Sequence, residues 1–270
     1  MPELPEVEVT RQGLARAVLG QRIQRLRLGK PLRWPLGVAP EALQGRRIVE
    51  LSRRGKYILM RLDQGVLLWH LGMSGRLDIG PELAPLGVHD HVDLVCEAMQ
   101  VRLHDPRRFG ALVYAEDEGA AVVHKLLDRL GPEPLTPAFS LEGFVAGLKA
   151  RRGPIKPALM AGDLVVGVGN IYASEALFRA GIHPKRAANR VSAARVAKLH
   201  EAIRAVLTRA IAAGGSSLKD FRHADGALGY FQLETRVYER QGQPCWTCET
   251  PIKRVVQAQR STYYCPQCQR

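Results

Sequence analysis

Residues 47–73 read RIVELSRRGKYILMRLDQGVLLWHLGM. Three short runs, RIVELSR, KYILMRL and GVLLWHLGM, are rich in Ile, Val, Leu, Tyr and Trp and are separated by turn residues, the pattern of successive strands. The same character extends outward to RIQRLRL (22–28), HVDLVCE (91–97), QVRLHD (100–105) and ALVYAE (111–116). These segments predict an antiparallel assembly of the sandwich or barrel kind. Cys96, alone in one of them, reads as a small buried residue. Ahead of the strands, the run after Pro5 (EVEVTRQGLARAVLG) places Val7, Leu14 and Val18 on roughly one helical face and stops at Gly20. Its early glutamates suit the positive end of that helix.

Beyond Leu130 the pattern changes. LGPEPLTP (130–137) carries three prolines and reads as a linker. Asn170 is expected to cap IYASEALFRA, which ends at Gly181. Ser192 is expected to cap a longer helix with Val196, Leu199, Ile203, Val206, Leu207, Ala210 and Ile211 on one stripe, closed by Gly214-Gly215. The expected class is α+β: an N-terminal antiparallel β-sandwich with an N-terminal helix over 1–130, a linker and the start of the helical region over 131–150, a helical domain over 151–235, and a cysteine-bearing module over 236–270.

The chain has 270 residues, with 39 Lys+Arg against 26 Asp+Glu and a formal charge of +13. Residues 1–150 hold 20 basic against 18 acidic side chains and residues 151–270 hold 19 against 8. A basic half on a nearly neutral half points to a polyanion, most simply nucleic acid. No apolar stretch is long enough to span a membrane, and the start MPELPEVEVTR does not read as a secretory signal. Four of the five cysteines fall in the last 26 residues, which is no disulfide framework for so long a chain, and the expected compartment is the reducing cytosol.

Those four cysteines form two C-x2-C pairs, Cys245/Cys248 and Cys265/Cys268, separated by sixteen residues. This is the spacing of a four-thiolate structural zinc site, in which each pair clamps one edge of a tetrahedron and the interval suffices for a β-hairpin. Four protein ligands leave no open position, so the metal holds the fold rather than reacting. The hairpin's Lys253, Arg254 and Arg260 suit a phosphate backbone.

If Met1 is removed, as the small second residue favours, Pro2 becomes the terminus. An α-amine titrates near about 7.7–8.0, against about 10.4 for lysine, so a useful fraction is unprotonated at neutral pH. Attack of this secondary amine on a sugar C1′ gives an iminium that is cationic without a proton, a good electron sink for eliminations. Glu3, adjacent, can serve as general acid or base.

Taken together, MPELPEVE (1–8), RRGKY (53–57), HLGMSG (70–75), HDHVD (89–93), DPRRFG (105–110), LGPEPL (130–135), IKP (155–157), VGVGNIYASEALFRAGIHP (166–184), GGSSLKDF (214–221) and AQRSTYYCPQCQ (258–269) resemble bacterial formamidopyrimidine-DNA glycosylases, in order along the whole chain. Leu4 favours this branch over the related endonuclease VIII group, which typically reads PEGPE and acts on oxidised pyrimidines; a non-catalytic DNA-binding module is the remaining alternative. The resemblance implies a helix–two-turn–helix domain, a monomer acting on damaged double-stranded DNA, and base-excision repair of oxidised purines by a bifunctional glycosylase and abasic-site lyase. By the same resemblance the catalytic residues are Pro2, the nucleophile, Glu3, which protonates the sugar ring oxygen, and Lys56, which contacts the phosphate beside the lesion and supports catalysis. Met73, Arg107 and Phe109 match the trio that fills the gap left by the everted nucleotide, a task suited to a thioether, a guanidinium that can bond the orphaned cytosine, and an aromatic ring. His70, Asn170 and Arg260 match phosphate contacts, and Lys156 a lysine linked to damaged-base handling. Residues 217–230 correspond to a loop closing over the everted base. His89-Asp90-His91 is expected to be structural, not a metal site.

Overall fold

A computed structural model describes residues 2–216 and 230–270. The chain forms two compact units, Met1–Arg129 with Ala213–Gln232, and Leu130–Ala212 with Leu233–Arg270.

The first unit contains helix α1 (Leu4–Val18), strands β1 (Ile23–Leu28), β2 (Ile48–Arg54), β3 (Tyr57–Leu62), β4 (Val66–His70), β5 (Arg76–Gly80), β6 (Asp90–Cys96), β7 (Gln100–His104) and β8 (Ala111–Ala115), and helix α2 (Ala121–Leu127). The strands make two four-stranded sheets, ordered β1-β6-β7-β5 and β2-β3-β4-β8, with every pairing antiparallel. Ile58, Met60, Leu67, Trp69 and Leu112 of one sheet share a core with Leu26, Leu77, Val92, Leu94, Val101 and Leu103 of the other, and Val7, Leu14 and Val18 of α1 join it. On its opposite face the second sheet packs Leu59, Val66, Leu68 and Ala115 against Val123 of α2. Burial on both faces explains why KYILMRL and GVLLWHL are almost continuously apolar rather than alternating. The sandwich expected from the sequence is present. Strand β5 was not legible, because only Leu77 of RLDIG is buried and a single inward residue sets no period.

Helix α1 begins at Leu4, so Pro5 lies in its first turn, where a missing N–H leaves nothing unbonded. Away from the core, Glu8 pairs with Arg53 of β2 at 3.0 Å and with Arg11 at 2.7 Å. Arg11 also donates to the Leu51 carbonyl. Burial alone would raise the Glu8 carboxyl, but hydrogen bonds from Arg11 and Gln12 and the two guanidinium charges hold it below its usual value. The helix is thereby fixed to the edge of the sheet.

The second unit contains α3 (Leu141–Lys149), α4 (Ile155–Met160), α5 (Asn170–Arg179), α6 (Ala193–Ala212) and a hairpin of β9 (Lys253–Gln257) and β10 (Arg260–Tyr264). The stripe expected on α6 is buried at Val196, Leu199, Ile203, Val206, Leu207 and Ala210, and Gly214 closes the helix with φ of 77°. One expectation is corrected: Gly169, not Asn170, is the N-cap of α5, and Asn170 is its first residue. The reason is competition, since the Asn170 amide is bonded to other partners described below. No helix among the described residues is long and apolar enough to cross a membrane.

Residues 130–137, expected to be a linker, are bonded into the second unit. The Gly131 N–H donates to the Gly162 carbonyl at 2.8 Å, and the Pro132 carbonyl accepts from Val166. Arg204 donates to the Pro134 carbonyl at 2.7 Å. Prolines lack a donor but keep an acceptor, and here those acceptors are used. A Cβ on Gly131 would stand 2.4 Å from the Asp163 carbonyl oxygen, whereas one on Gly153 would meet nothing within 4 Å. Gly131→Ala is therefore expected to lower stability by roughly 1–3 kcal/mol, and Gly153→Ala to change it by about 0.5 kcal/mol or less. Denaturant midpoints of the two variants check this; equal midpoints would show that the segment is not docked.

Candidate functional site

The antiparallel register gathers one set of side chains at one end of the β2-β3-β4-β8 sheet. Arg54 lies opposite Tyr57, Tyr57 opposite His70, and His70 opposite Ala111. The β2–β3 turn, the end of β4 and the start of β8 therefore share that end. Lys56, His70, Met73, Arg107 and Phe109 all fall on or beside these three places.

Lys56 occupies the two-residue turn Gly55-Lys56. Gly55 has φ of 58° while Lys56 does not, the arrangement of a type II′ hairpin, which needs glycine first. The turn fixes Lys56 at the edge of the sheet, half-buried. His70 accepts from the Gly72 N–H at Nδ1, 3.0 Å away, which leaves the proton on Nε2 and makes that atom the available donor. Burial, then the charges of Lys56 and Arg33, push its pKa down to about 4, with Asp105 opposing weakly. His70 is thus a neutral hydrogen-bond donor at neutral pH, not a cation.

The loops bearing Met73 and Arg107–Phe109 are joined by one carboxylate. Asp105 is fully buried. Its Oδ1 accepts from the Ser74 hydroxyl at 2.8 Å and the Arg107 N–H at 3.3 Å, and its Oδ2 accepts from the Gly110 N–H at 2.7 Å. The loops also touch backbone to backbone, for a Cβ on Gly72 would lie 2.4 Å from the Phe109 carbonyl carbon. Phe109 is 42% exposed, with the Arg107 guanidinium 5.0 Å from its ring centre, and Met73 is half-buried. Asp105 escaped the sequence reading; its only signal was its place at the head of DPRRFG.

At the start of α1, Pro2 and Glu3 are both buried. Glu6, also buried, bridges two backbone donors: Oε2 accepts from the Glu3 N–H at 2.9 Å and Oε1 from the Ser216 N–H at 2.8 Å. Gly215, at φ of 77°, leaves room for it, since a Cβ there would come 3.2 Å from Oε1. Glu6 thus ties the backbone of Glu3 to Ser216. The sequence reading missed this, although a glutamate three residues after a helix cap is a known signal. Residues 217–229, expected to form a loop over the base, lie outside the described residues.

In the second unit, Lys156 is only 1% exposed. Its ammonium donates to Asn170 Oδ1, the Thr262 hydroxyl at 2.8 Å and the Ser261 carbonyl at 3.3 Å. Asn170 Nδ2 donates to the same Ser261 carbonyl at 2.9 Å. Lys156 therefore joins α4, the start of α5 and strand β10. Arg260 opens β10 after Ala258 and Gln259, which adopt φ of 46° and 60°. Glu175 of α5 accepts from the N–H groups of Arg236, Val237 and Tyr238 at 2.8–3.0 Å. Burial pushes its carboxyl up despite those bonds.

The four cysteine sulfurs lie within 4.8 Å of one another, the one cluster among the described residues suited to a metal ion. Individual separations are 3.4 Å for Cys248–Cys265 and Cys248–Cys268, and 3.9 Å for Cys245–Cys268. A tetrahedron with Zn–S bonds of about 2.3 Å has S···S edges of about 3.8 Å, so the donor set fits one zinc ion. In the His89-Asp90-His91 run, Asp90 is bonded to His104 at 2.8 Å and to the Gly87 N–H at 2.7 Å.

Comparison with known proteins adds the following. The chain matches the family models for the formamidopyrimidine-DNA glycosylase N-terminal domain over residues 1–112, the formamidopyrimidine-DNA glycosylase H2TH domain over 130–222, and the zinc finger found in FPG and IleRS over 242–270. It is 59% identical to a formamidopyrimidine-DNA glycosylase of Variovorax paradoxus over 270 residues, all of both chains. Among solved structures, the MutM (Fpg) protein of Thermus thermophilus superimposes with a TM-score of 0.90 at 43% identity, covering 99% of this chain and 98% of the other. A MutM complex with DNA containing carbocyclic 8-oxo-G superimposes with a TM-score of 0.91 at 34% identity and covers all of both chains. With the zinc-finger match, Cys245, Cys248, Cys265 and Cys268 are assigned to a single structural zinc.

The His70 environment has a measurable consequence. Its folded pKa is about 4 against an ordinary 6.5, so between those values the unfolded chain binds the proton and the folded chain does not. Stability is expected to fall by up to roughly 3 kcal/mol as pH drops from 6.5 to 4, and His70→Gln should flatten that part of the profile. Denaturant titrations at several pH values check it; identical slopes for both proteins would refute it.

Proposed function

The chain belongs to the formamidopyrimidine-DNA glycosylase family, and on that premise we propose that it excises oxidised purines, 8-oxoguanine and formamidopyrimidines, from duplex DNA and then cleaves the strand. The observation that carries the reading is similarity over the entire chain, with Pro2, Glu3 and Lys56 at the family's motif positions.

The chemistry begins with removal of Met1, which frees the Pro2 amine. Its lone pair attacks C1′ of the everted nucleoside; the glycosidic bond breaks and the base leaves with that electron pair, taking up a proton. Glu3 protonates the ring oxygen, C1′–O opens, and C1′ becomes an iminium with Pro2. Loss of the C2′ proton then expels the 3′ phosphate, and a second elimination expels the 5′ phosphate. Water finally hydrolyses the iminium, releasing the sugar remnant as an aldehyde and restoring the amine.

The other residues hold the substrate. Lys56 and His70 bond phosphate beside the lesion, one as a cation and one as a neutral donor. Met73 and Phe109 enter the gap left by eversion, and Arg107 bonds the orphaned cytosine. Asn170 and Arg260 contact phosphate, supported by an N–H-rich helix start and by the hairpin. Lys156 influences the damaged base through its hold on Asn170 and Ser261 rather than through a free ammonium. The protein acts as a monomer on damaged DNA in the cytosol.

Borohydride is expected to trap a covalent adduct with 8-oxoguanine duplex through Pro2 once Met1 is removed, and chemical capping of the terminal amine to abolish it. Excision of 8-oxoguanine opposite cytosine should exceed that of thymine glycol. No adduct from protein whose trimmed terminus is verified by mass spectrometry would reject the mechanism; faster thymine glycol excision would reject the substrate class.

Zinc supplies no chemistry, only the shape of the hairpin that carries Arg260. Chelation is expected to weaken DNA binding at least tenfold, while the first unit keeps its thermal transition. Unchanged affinity after metal loss, verified by elemental analysis, would contradict this.

A further inference from the structure

The segment between β1 and β2 carries a residue that neither the sequence reading nor the preceding mechanism uses. Residues 29–36 read GKPLRWPL, an irregular stretch with two prolines that is nevertheless held firmly. The Gly29 N–H donates to the His91 carbonyl at 2.8 Å, the Leu36 carbonyl accepts from Tyr114 at 2.7 Å, and the Arg33 N–H donates to the Gly110 carbonyl at 3.2 Å. The Trp34 ring lies under the Lys125 ammonium, 4.6 Å from its centre. The backbone of Arg33 is thus fixed to the end of the loop that carries Arg107 and Phe109.

That anchor puts Arg33 at the functional end of the sheet. Gly110 precedes Ala111, the cross-strand partner of His70, and a Cβ on Gly110 would lie 3.1 Å from the His70 carbonyl oxygen. Tyr57, paired with His70, follows Lys56. The Arg33 charge is felt at both rings, helping to keep His70 neutral and opposing the effect of burial on the Tyr57 phenol.

The guanidinium of Arg33 is also unengaged by any acid of the described residues. Arg53, Arg61, Arg76 and Arg102 of the same unit are each paired with a carboxylate. Arg33 is exposed, and no carboxylate or carbonyl among the described residues bonds its guanidinium. The one carboxylate acting on His70 is Asp105, which is buried and already engaged. A pinned loop therefore presents a planar, permanently charged fork, itself bonded to no carboxylate among the described residues, at the sheet end that also carries a lysine and a neutral N–H donor. Such a group suits bidentate bonding to an anion with little loss of freedom on binding.

We propose that Arg33 is a DNA phosphate-binding residue that acts alongside Lys56 and His70 on the sugar–phosphate backbone. This rests on the DNA-repair reading above. It predicts an effect on affinity and its salt dependence, and none on the chemical step.

The test measures binding to a duplex with a tetrahydrofuran abasic analogue, and to undamaged duplex, from 50 to 200 mM KCl. Each phosphate contact contributes about 0.9 to the slope of log K against log salt. Arg33→Ala is expected to reduce the slope magnitude by about 0.9 and weaken binding about eightfold at 0.1 M salt, the factor that such a slope gives over one decade. The loss should be similar on both duplexes, and single-turnover excision at saturating DNA should be unchanged. Arg33→Lys should restore the slope but only part of the affinity. Arg33→Gln, which keeps most of the side chain, should behave like Arg33→Ala, separating lost charge from a disturbed loop. Arg25→Ala controls for net charge and should leave the slope unchanged. A wild-type slope in Arg33→Ala or Arg33→Gln, or a loss confined to the excision rate, would overturn the proposal while leaving the repair reading intact. A wild-type protein that neither binds nor excises lesions would overturn both.

Discussion

Burial of the β2-β3-β4-β8 sheet on both faces is the constraint from which the rest follows. One face meets the second sheet and α1, and the other meets α2. A sheet covered in this way offers its surroundings only its ends and edges. Polar side chains that serve a purpose must then sit in turns or at strand termini. Lys56, His70, Met73, Arg107 and Phe109 do so, and the antiparallel register brings them to the same end. Thirty-nine cationic side chains give the molecule its charge, but register decides which of them stand together.

Within each unit, a few buried acids order the main chain. Asp105 joins two loops, Glu6 joins Glu3 to Ser216, and Glu175 fixes the backbone of 236–238. Each accepts mainly from backbone N–H groups, so each orders main chain rather than cancelling a neighbouring cation. An unmade bond to any of these carboxylates would be costly, since a buried polar group without a partner loses about 1–3 kcal/mol. The loops they hold are thus defined before any ligand arrives, and less ordering is needed on binding.

Much of this was legible in the residues, for reasons that also explain what was not. The continuous apolar runs of β3 and β4, the stripe of α6 and the spacing of four cysteines each record a repeating geometric demand. Strand β5 and helix α4 are short, with few inward residues, and leave no such record. Asn170 illustrates a different limit: asparagine next to a helix start reads as a cap, but Lys156 and Ser261, the latter 91 residues away, compete for its amide. The prolines of 130–137 misled in the same manner, because their free carbonyls found distant donors. Asp105 was hidden because a carboxylate that bonds backbone amides has no sequence partner to reveal it, whereas Glu6 stood at the third position after the helix cap, a signal the sequence reading passed over. Arg33 was hidden because its neighbourhood arises from strand pairing.

The electrostatics of His70 show how such neighbours alter a residue's meaning. A histidine in a basic protein is easily read as one more cation for phosphate. Here burial and the charges of Lys56 and Arg33 oppose protonation, and the Gly72 N–H fixes the tautomer. The imidazole can then donate one directed hydrogen bond from Nε2 without adding charge. Lysine and arginine provide attraction that is long-ranged and weakened by salt, whereas a neutral N–H acts only at contact distance and depends on direction. With both kinds of donor at one sheet end, approach and final placement of a phosphate are, on the proposed reading, governed by different groups. On that reading, the cations proposed to draw the anion in are the ones that keep their neighbour neutral, so the two functions would be coupled by the same charges.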